Sequence, residues 1–495
     1  MSRSKEKKAK ELAAEKKSRK QTVTMAIIIA VIVVALLLTA LVINSSAIKR
    51  KATAVTVGDM KFSIVDFNYF YYSAYYQYVT DVYSQYPAYA ETFLPDMSQS
   101  LRAQIVDTDT GETWDDRFVK STLDQLLDIG AVYQAGQKAG YVLSDERAHQ
   151  LDETYEAAEA QAELSNVSLN KLLSRNYGKG ITGEDYKRLM YISAYAEEYE
   201  QYIQDGFTYT QEQITSYYEE NKDRLDVYGI RSFYISQNDF PDGMTGAKAA
   251  ADAYAADIHS EQDMIDAARD YNADTYGEDD STLHYYAGSS LASQYYDWAV
   301  DPARQNGDVY VAENSVNNAY YVVYFLERSQ NEYPIAQLHM ITMYPDSVNS
   351  SDYETTEAYN EAQETAKSDL KAEAEEILRQ WNAADEKNLD TFQVLYDDHT
   401  DDYYYLNGLV ECYYKHLYTP EMDAWVYDSA RKEGDAAVFV TPDDQIAYFV
   451  RFDQLGENYC DYLGRDGLST ADFLAWNASI KEGLTAEKGT LFSLR

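Results

Sequence analysis

The chain is short of the residues that most often carry chemistry. Its 495 residues include two cysteines, Cys412 and Cys460. That is too few for the disulfide framework of a small exported domain, and whether the pair is joined stays open. The six histidines are scattered without metal-ligand spacing, so no metal site and no cofactor is expected. Neither a Ser/His/Asp order nor a glycine-rich phosphate loop occurs. The stretch "DTDTGETWDD" (107–116) has the acidity of a calcium loop, but its glycine comes one position early and no bidentate glutamate closes it. It reads as a turn leading into a helix.

Positive charge is also scarce, and it is concentrated at one end. Residues 1–20 hold nine Lys and Arg against three Glu, and Lys49, Arg50 and Lys51 follow shortly after. Beyond residue 51 there are 30 basic and 80 acidic residues, a net of −50. Such a surface repels phosphate backbones and excludes nucleic acid as a partner. Between the two basic clusters, Val23 to Ile43 carries neither charge nor proline. At 1.5 Å rise per residue this run spans the ~30 Å core of a bilayer. "SSA" at 45–47 offers a signal-cleavage site, but the apolar run is longer than a typical signal core. Residues 22–46 therefore read as an uncleaved anchor. The positive-inside bias keeps the tail, 1–21, in the cytoplasm and places the bulk of the chain outside.

The region 52–226 reads as an all-α domain. Ser63, with Asp66 three residues on, can cap a helix through "IVDFNYFYYSAYYQYVTDVY". Tyr69, Tyr72, Tyr76 and Tyr83 share one face of it. Further helices are expected from Trp114 to Ala139 with a stop at Gly140, after Ser144, up to Gly178, and after Thr182. Thr210 and Gln213 form a capping box before the next. The tyrosines, 49 in all, give apolar area with a polar tip, which suits either a packed helical core or adaptable binding of unfolded segments.

Past Asp226 the texture changes and a phrase is repeated. "WAVDPARQNGD" (298–308) and "WVYDSARKEGD" (425–435) agree at six of eleven positions. Each copy has an early strand, "YGIRSFYIS" or "AQLHMITMY", then a helical stretch. Each ends in an aromatic and β-branched strand, "AYYVVYFLER" or "AYFVRF". From Trp to the following Ala-Tyr the spacing is 21 and 22 residues. Two α/β units follow, 227–330 and 333–457, with a last segment, 458–495, whose helix starts at Thr470. The expectation is an α+β multidomain protein: anchor, helical domain, two repeated α/β domains and a C-terminal helix.

This order resembles the parvulin-type peptidyl-prolyl isomerase domain, in which an early strand carries "RHIL" and a final strand "GYHII" after a Gly-Asp turn. Upstream, "TVGDMKFSIVDFNYFY", "LDQLLDIGAVYQAGQKAGYVLSDE" and "YTQEQITSYYEENKD" are similar to the helical chaperone region of extracytoplasmic foldases of the PrsA and SurA type. In place of that family's lipidated cysteine or cleaved signal stands the apolar run. The resemblance implies that His339 of "LHMI" is the first family histidine and that Asp398 lies near the family's acid. Phe449 then takes the second histidine's place, and Ser232 and Tyr321 take the two places in the first copy. Leu417, Trp425, Tyr448, Phe449, Trp298 and Tyr321 are the implied substrate-binding set. The alternatives are that His339 is a hydrogen-bonded strand histidine and that the two tryptophans only anchor their helices. The implied partners are unfolded or nascent exported polypeptides. Two functions follow, a foldase with weak X–Pro isomerisation, or an inactive holdase or assembly factor.

Overall fold

The computed structural model describes residues 45–86, 89–96, 98–399, 408–442 and 444–495. They form two compact units, one of residues up to Phe207 with Ser469–Arg495, the other Thr208–Leu468. The expected anchor over 22–46 lies outside the described residues except for its last two positions. Among the described residues no helix is long and apolar enough to cross a membrane.

In the first unit, a short helix α1 (Ser46–Lys51) precedes a hairpin of β1 (Thr53–Val57) and β2 (Met60–Ser63). Gly58 turns the hairpin at φ +55, a left-handed backbone that glycine adopts without steric cost. Ser63 and Asp66 then make a reciprocal capping box at the start of α2 (Ile64–Gln85). A short α3 (Ala90–Phe93) and a ribbon of β3 (Ile105–Asp107) and β4 (Glu112–Thr113) follow. The Asp107 carboxylate accepts the Asp109 and Thr110 N–H groups at 2.8 and 3.3 Å, so "DTDTG" is the ribbon's turn. Next come α4 (Trp114–Ala139), stopped by Gly140 at φ +73, α5 (Asp145–Leu164), α6 (Leu169–Asn176) and α7 (Gly183–Asp205).

One expectation for this unit is corrected. It is not all-α, because β1 and β2 form a sheet with Glu487–Lys488, Val55 pairing with Lys488. Local periodicity cannot reveal a strand whose partner lies at the far end of the chain. The tyrosine-rich helix α2 buries Phe67, Tyr71 and Tyr75, the last two against Phe118 of α4, with Tyr69 and Tyr72 partly buried beside them. Tyr71 can be buried because its hydroxyl donates to the Asp115 carboxylate at 3.0 Å. Tyr69 packs at the margin against Tyr177 and Tyr186, while Tyr76 and Tyr83 are exposed.

The second unit opens with α8 (Gln211–Leu225), which the sequence grouped with the helical domain. Two lobes of one plan follow. The first has β5 (Val227–Ser236), α9 (Met244–Asp257), α10 (Glu261–Tyr271), β6 (Leu283–Ala287), α11 (Tyr296–Ala299), β7 (Val309–Asn314) and β8 (Ala319–Ser329). The second has β9 (Pro334–Met343), α12 (Thr356–Ala383), α13 (Leu389–His399), β10 (Leu409–Tyr413), α14 (Pro420–Val426), β11 (Ala436–Val440) and β12 (Ala447–Asn458). Their antiparallel sheets run β6-β5-β8-β7 and β10-β9-β12-β11. One face of each packs on the long helices: Phe233 and Val322 on Ala247 and Met264, Ile341 and Phe449 on Ile377 and Trp381. The other face packs on the short helix. A last helix, α15 (Tyr459–Lys481), begins well before the expected Thr470, and β13 (Glu487–Lys488) returns to β1. Cys412 and Cys460 are both free and partly buried, and burial pushes the Cys412 thiol up to about 11.

The first unit is closed by one charge cluster. Both terminal nitrogens of Arg495 reach the Asp115 carboxylate, at 2.9 and 2.7 Å, and Arg102 Nε and the Tyr71 hydroxyl meet it at 3.2 and 3.0 Å. Burial alone would raise the Asp115 pKa, but the Arg495 hydrogen bond and charge bring it below the usual carboxylate range. Removing one member of a buried pair leaves the other uncompensated. Arg495→Ala is therefore expected to destabilise this unit by roughly 3 kcal/mol, read from denaturant midpoints. A change under about 0.5 kcal/mol would show the pair to be a surface decoration.

Candidate functional site

The repeated phrase sets the register of each lobe. Trp298 stands at the end of α11 and Trp425 in α14, and each ring carries an arginine, Arg304 at 5.1 Å and Arg431 at 4.0 Å. Those arginines pair with Asp308 at 2.9 Å and Asp435 at 3.5 Å. Asp308 and Asp435 in turn accept the N–H groups of Gln305 and Lys432. The glycine adopts φ +96 at Gly307 and +82 at Gly434, and its N–H bonds the carbonyl of Phe325 or Phe452. The phrase is thus a structural turn. It leads into an edge strand, β7 or β11, that the sequence reading missed, and only then into the closing strand.

Main-chain bonds correct the sequence alignment by one residue. Phe325 N–H bonds Asp308 O as Phe452 N–H bonds Asp435 O, so Phe325 and Phe452 correspond. Tyr321 then corresponds to Tyr448, and Val322 to Phe449. In the same way Phe233 pairs with Val322 as Ile341 pairs with Phe449, so Arg231, not Ser232, corresponds to His339. The spacings of 21 and 22 residues arise because Ala-Tyr recurs one position later in the second copy. A one-residue slip exchanges the two faces of a strand, which is why the correction matters.

His339 lies on the long-helix face of β9, opposite Arg451 of β12, and is 8 % exposed. Its Nδ1 is 2.6 Å from Asp453 Oδ2, and its ring is 5.1 Å from that of Phe392 of α13. Arg451, 3 % exposed, pairs with the same Asp453 and reaches Glu433 at 3.4 Å. Asp453 falls where the β12 register slips between Phe452 and Gln454, and such a bulge re-aims a side chain. Neither Asp453 nor Arg451 was singled out by sequence. In the first lobe the buried Arg231 pairs with Glu261 at 2.7 Å and donates to the Asp279 carbonyl. Both lobes therefore hold a buried, acid-paired side chain at this strand position.

The expected set does not assemble into one site. Phe449 shares the His339 face but is fully buried between Trp381 and Phe392. Asp398 is exposed near the end of α13, and the acid that His339 meets is Asp453. Leu417, Trp425 and Tyr448 pack on the opposite face of the sheet, with Met422 and Val426. Trp298 and Tyr321 lie on the corresponding face of the first lobe, Trp298 stacked on Tyr310 at 5.2 Å and Tyr321 against Tyr295 at 5.6 Å. A cavity of about 460 Å³ in the second lobe is lined by Tyr344, Val348, Lys367 and Ile446 and by none of the expected site residues.

Burial, and after it the Arg451 guanidinium, holds the His339 imidazole below its ordinary range, so the ring is neutral near pH 7. Its stabilising contribution is complete above the unfolded value of about 6.5 and is lost as pH falls toward the lower folded value. His339→Gln keeps a donor for Asp453 but does not titrate. Urea midpoints from pH 7.5 to 5 should fall less steeply for this variant than for the wild type, and equal slopes would contradict the buried neutral ring.

No protein-family model and no curated protein matches the chain. Among solved structures it is similar to the foldase protein PrsA of Streptococcus pneumoniae, 15 % identical over 53 % of this chain and 87 % of that one, with a TM-score of 0.22. It is also similar to the peptidylprolyl isomerase PrsA of Bacillus anthracis, 13 % identical over 50 % and 89 %, TM-score 0.22. A third likeness is to the SurA-like chaperones of Campylobacter jejuni, 13 % identical over 56 % and 83 %, TM-score 0.17. The structural neighbours are thus foldases and chaperones of the PrsA and SurA-like kind.

Proposed function

We propose that the protein is a membrane-anchored extracytoplasmic chaperone that holds unfolded exported polypeptides, and that its two lobes are binding and structural modules rather than isomerases. The observation that carries this is a run of exposed aromatics where α2 ends and α3 begins. Tyr83, Tyr86, Tyr89 and Phe93 are between 45 % and 69 % exposed, and the Tyr86 and Phe93 rings stand 5.1 Å apart. A soluble surface rarely gathers so many large rings unless they meet a partner. Tyrosine offers apolar area at low entropic cost with a hydroxyl that stays hydrated, which suits unrelated extended segments. The anchor over 22–46 rests on the sequence pattern, and the acidic remainder keeps such a surface soluble.

The isomerase reading finds no support in the second lobe. Lowering a rotation barrier of ~18–20 kcal/mol calls for polar groups that touch the twisting amide. His339 instead points under α13 into a closed chain with Asp453 and Arg451.

The full-length chain in detergent should suppress aggregation of a denatured exported protein. Joint replacement of Tyr83, Tyr86, Tyr89 and Phe93 by serine should weaken client binding at least tenfold, about 1.4 kcal/mol, with an unchanged melting profile. Unchanged binding would refute the aromatic surface. Proline-peptide isomerisation that His339→Gln abolishes would refute the second half of the proposal.

A further inference from the structure

We propose that β11 is a docking edge at which an extended, cation-flanked segment of a client chain adds as a fifth strand to the second lobe's sheet. This rests on the reading that the protein holds unfolded polypeptides, and it names a second kind of contact. β11 is the outer strand of the order β10-β9-β12-β11. Phe452 N–H bonds Asp435 O at one end of the ladder, and Thr441 N–H bonds Ile446 O at the other. With the register Ala437↔Val450 and Phe439↔Tyr448, antiparallel alternation directs the N–H and C=O groups of Ala437 and Phe439 toward β12. Those of Ala436, Val438 and Val440 face away from the sheet, as a template for another strand.

Native edges are usually protected by charge, proline or a bulge. The sequence of β11, "AAVFV", has none of these, and its ladder with β12 is regular. The first lobe supplies an internal contrast. Its edge strand β7 corresponds to β11 through the shared turn, and the residue corresponding to Val440 there is the exposed Glu313. One edge of the pair is therefore guarded and the other is not.

Charge selects the occupant. The acids next to β11 are matched within the chain, Glu433 with Arg451, Asp435 with Arg431 and Asp444 with Lys371, so the selection comes from the net charge of −41. A second copy of this chain would bring the same excess of acid against it. An apolar strand that carries Lys or Arg is instead drawn to a surface of opposite sign. Main-chain pairing supplies affinity without demanding a sequence, as a client-holding protein requires.

The test uses the full-length chain in detergent and a fluorescent peptide of alternating Val and Thr with two lysines at each end. Anisotropy should report saturable binding, weakened at least tenfold when alternate residues of the peptide are N-methylated along one edge. That comparison leaves the protein unaltered, so it does not depend on a variant folding. Val440→Glu, which copies Glu313, should weaken binding similarly, while Glu313→Val should add a second equivalent of bound peptide. The serine variants of Tyr83, Tyr86, Tyr89 and Phe93 should bind this peptide normally, which separates failure here from failure of the aromatic surface. Equal affinity for the N-methylated peptide would overturn the proposal. So would a concentration-dependent dimer abolished by Val440→Glu, which would give the edge to a second copy.

Discussion

The second unit depends on one small constraint used twice: an arginine held between a tryptophan face and an aspartate, ahead of a left-handed glycine. Cation–π stacking and the ion pair are each modest, about 0.5–1 kcal/mol for a partly exposed stack. What they do is geometric. They fix the turn at Gly307 and Gly434, so that the next strand enters the sheet with one register and one assignment of faces. Every buried side chain of β8 and β12 inherits that assignment. Through it His339 and Phe449 lie under the long helices, while Trp425 and Tyr448 lie on the other side.

Burial then decides chemistry. Arg231 in one lobe and His339 in the other occupy the same strand position, and each is matched with an acid. The buried Arg231 guanidinium would be costly to leave unpaired, and the neutral His339 ring likewise needs a hydrogen-bond partner. Arg231 ties β5 to the first residue of α10, and His339 lies against Phe392 of α13. The first unit uses the same device at Asp115, where Tyr71, Arg102 and Arg495 converge and draw the tail of the chain onto α2 and α4.

Features governed by neighbouring residues were legible in the sequence. Ser63 with Asp66, Thr182 with Asp185, and Gly140 mark helix ends because caps are local hydrogen bonds. The repeat located two lobes, because the turn needs the same Trp, Arg, Gly and Asp wherever it is built. Pairings set at a distance were not legible. β1 with β13 joins Val55 to Lys488, and the bulge that presents Asp453 leaves no mark in "RFDQ". Which stripe of α2 turns inward was not legible either, because two stripes with the same spacing compete and only packing chooses between them. The match of Tyr321 to Phe449 failed because a repeated dipeptide is a weaker anchor than a main-chain bond.

On the function proposed above, the client surface is aromatic and acidic, and the side chains at the His339 position of both lobes are buried and paired with acids. The central claim is that clients meet the aromatic run of the first unit rather than the His339 region. The most direct measurement places a photocrosslinking side chain at Tyr89 in one sample and at the exposed Val394 of α13 in another, each in the full-length chain with a denatured exported protein. Capture of client from position 89 and not from 394 is the predicted result. Capture from 394 alone would contradict it.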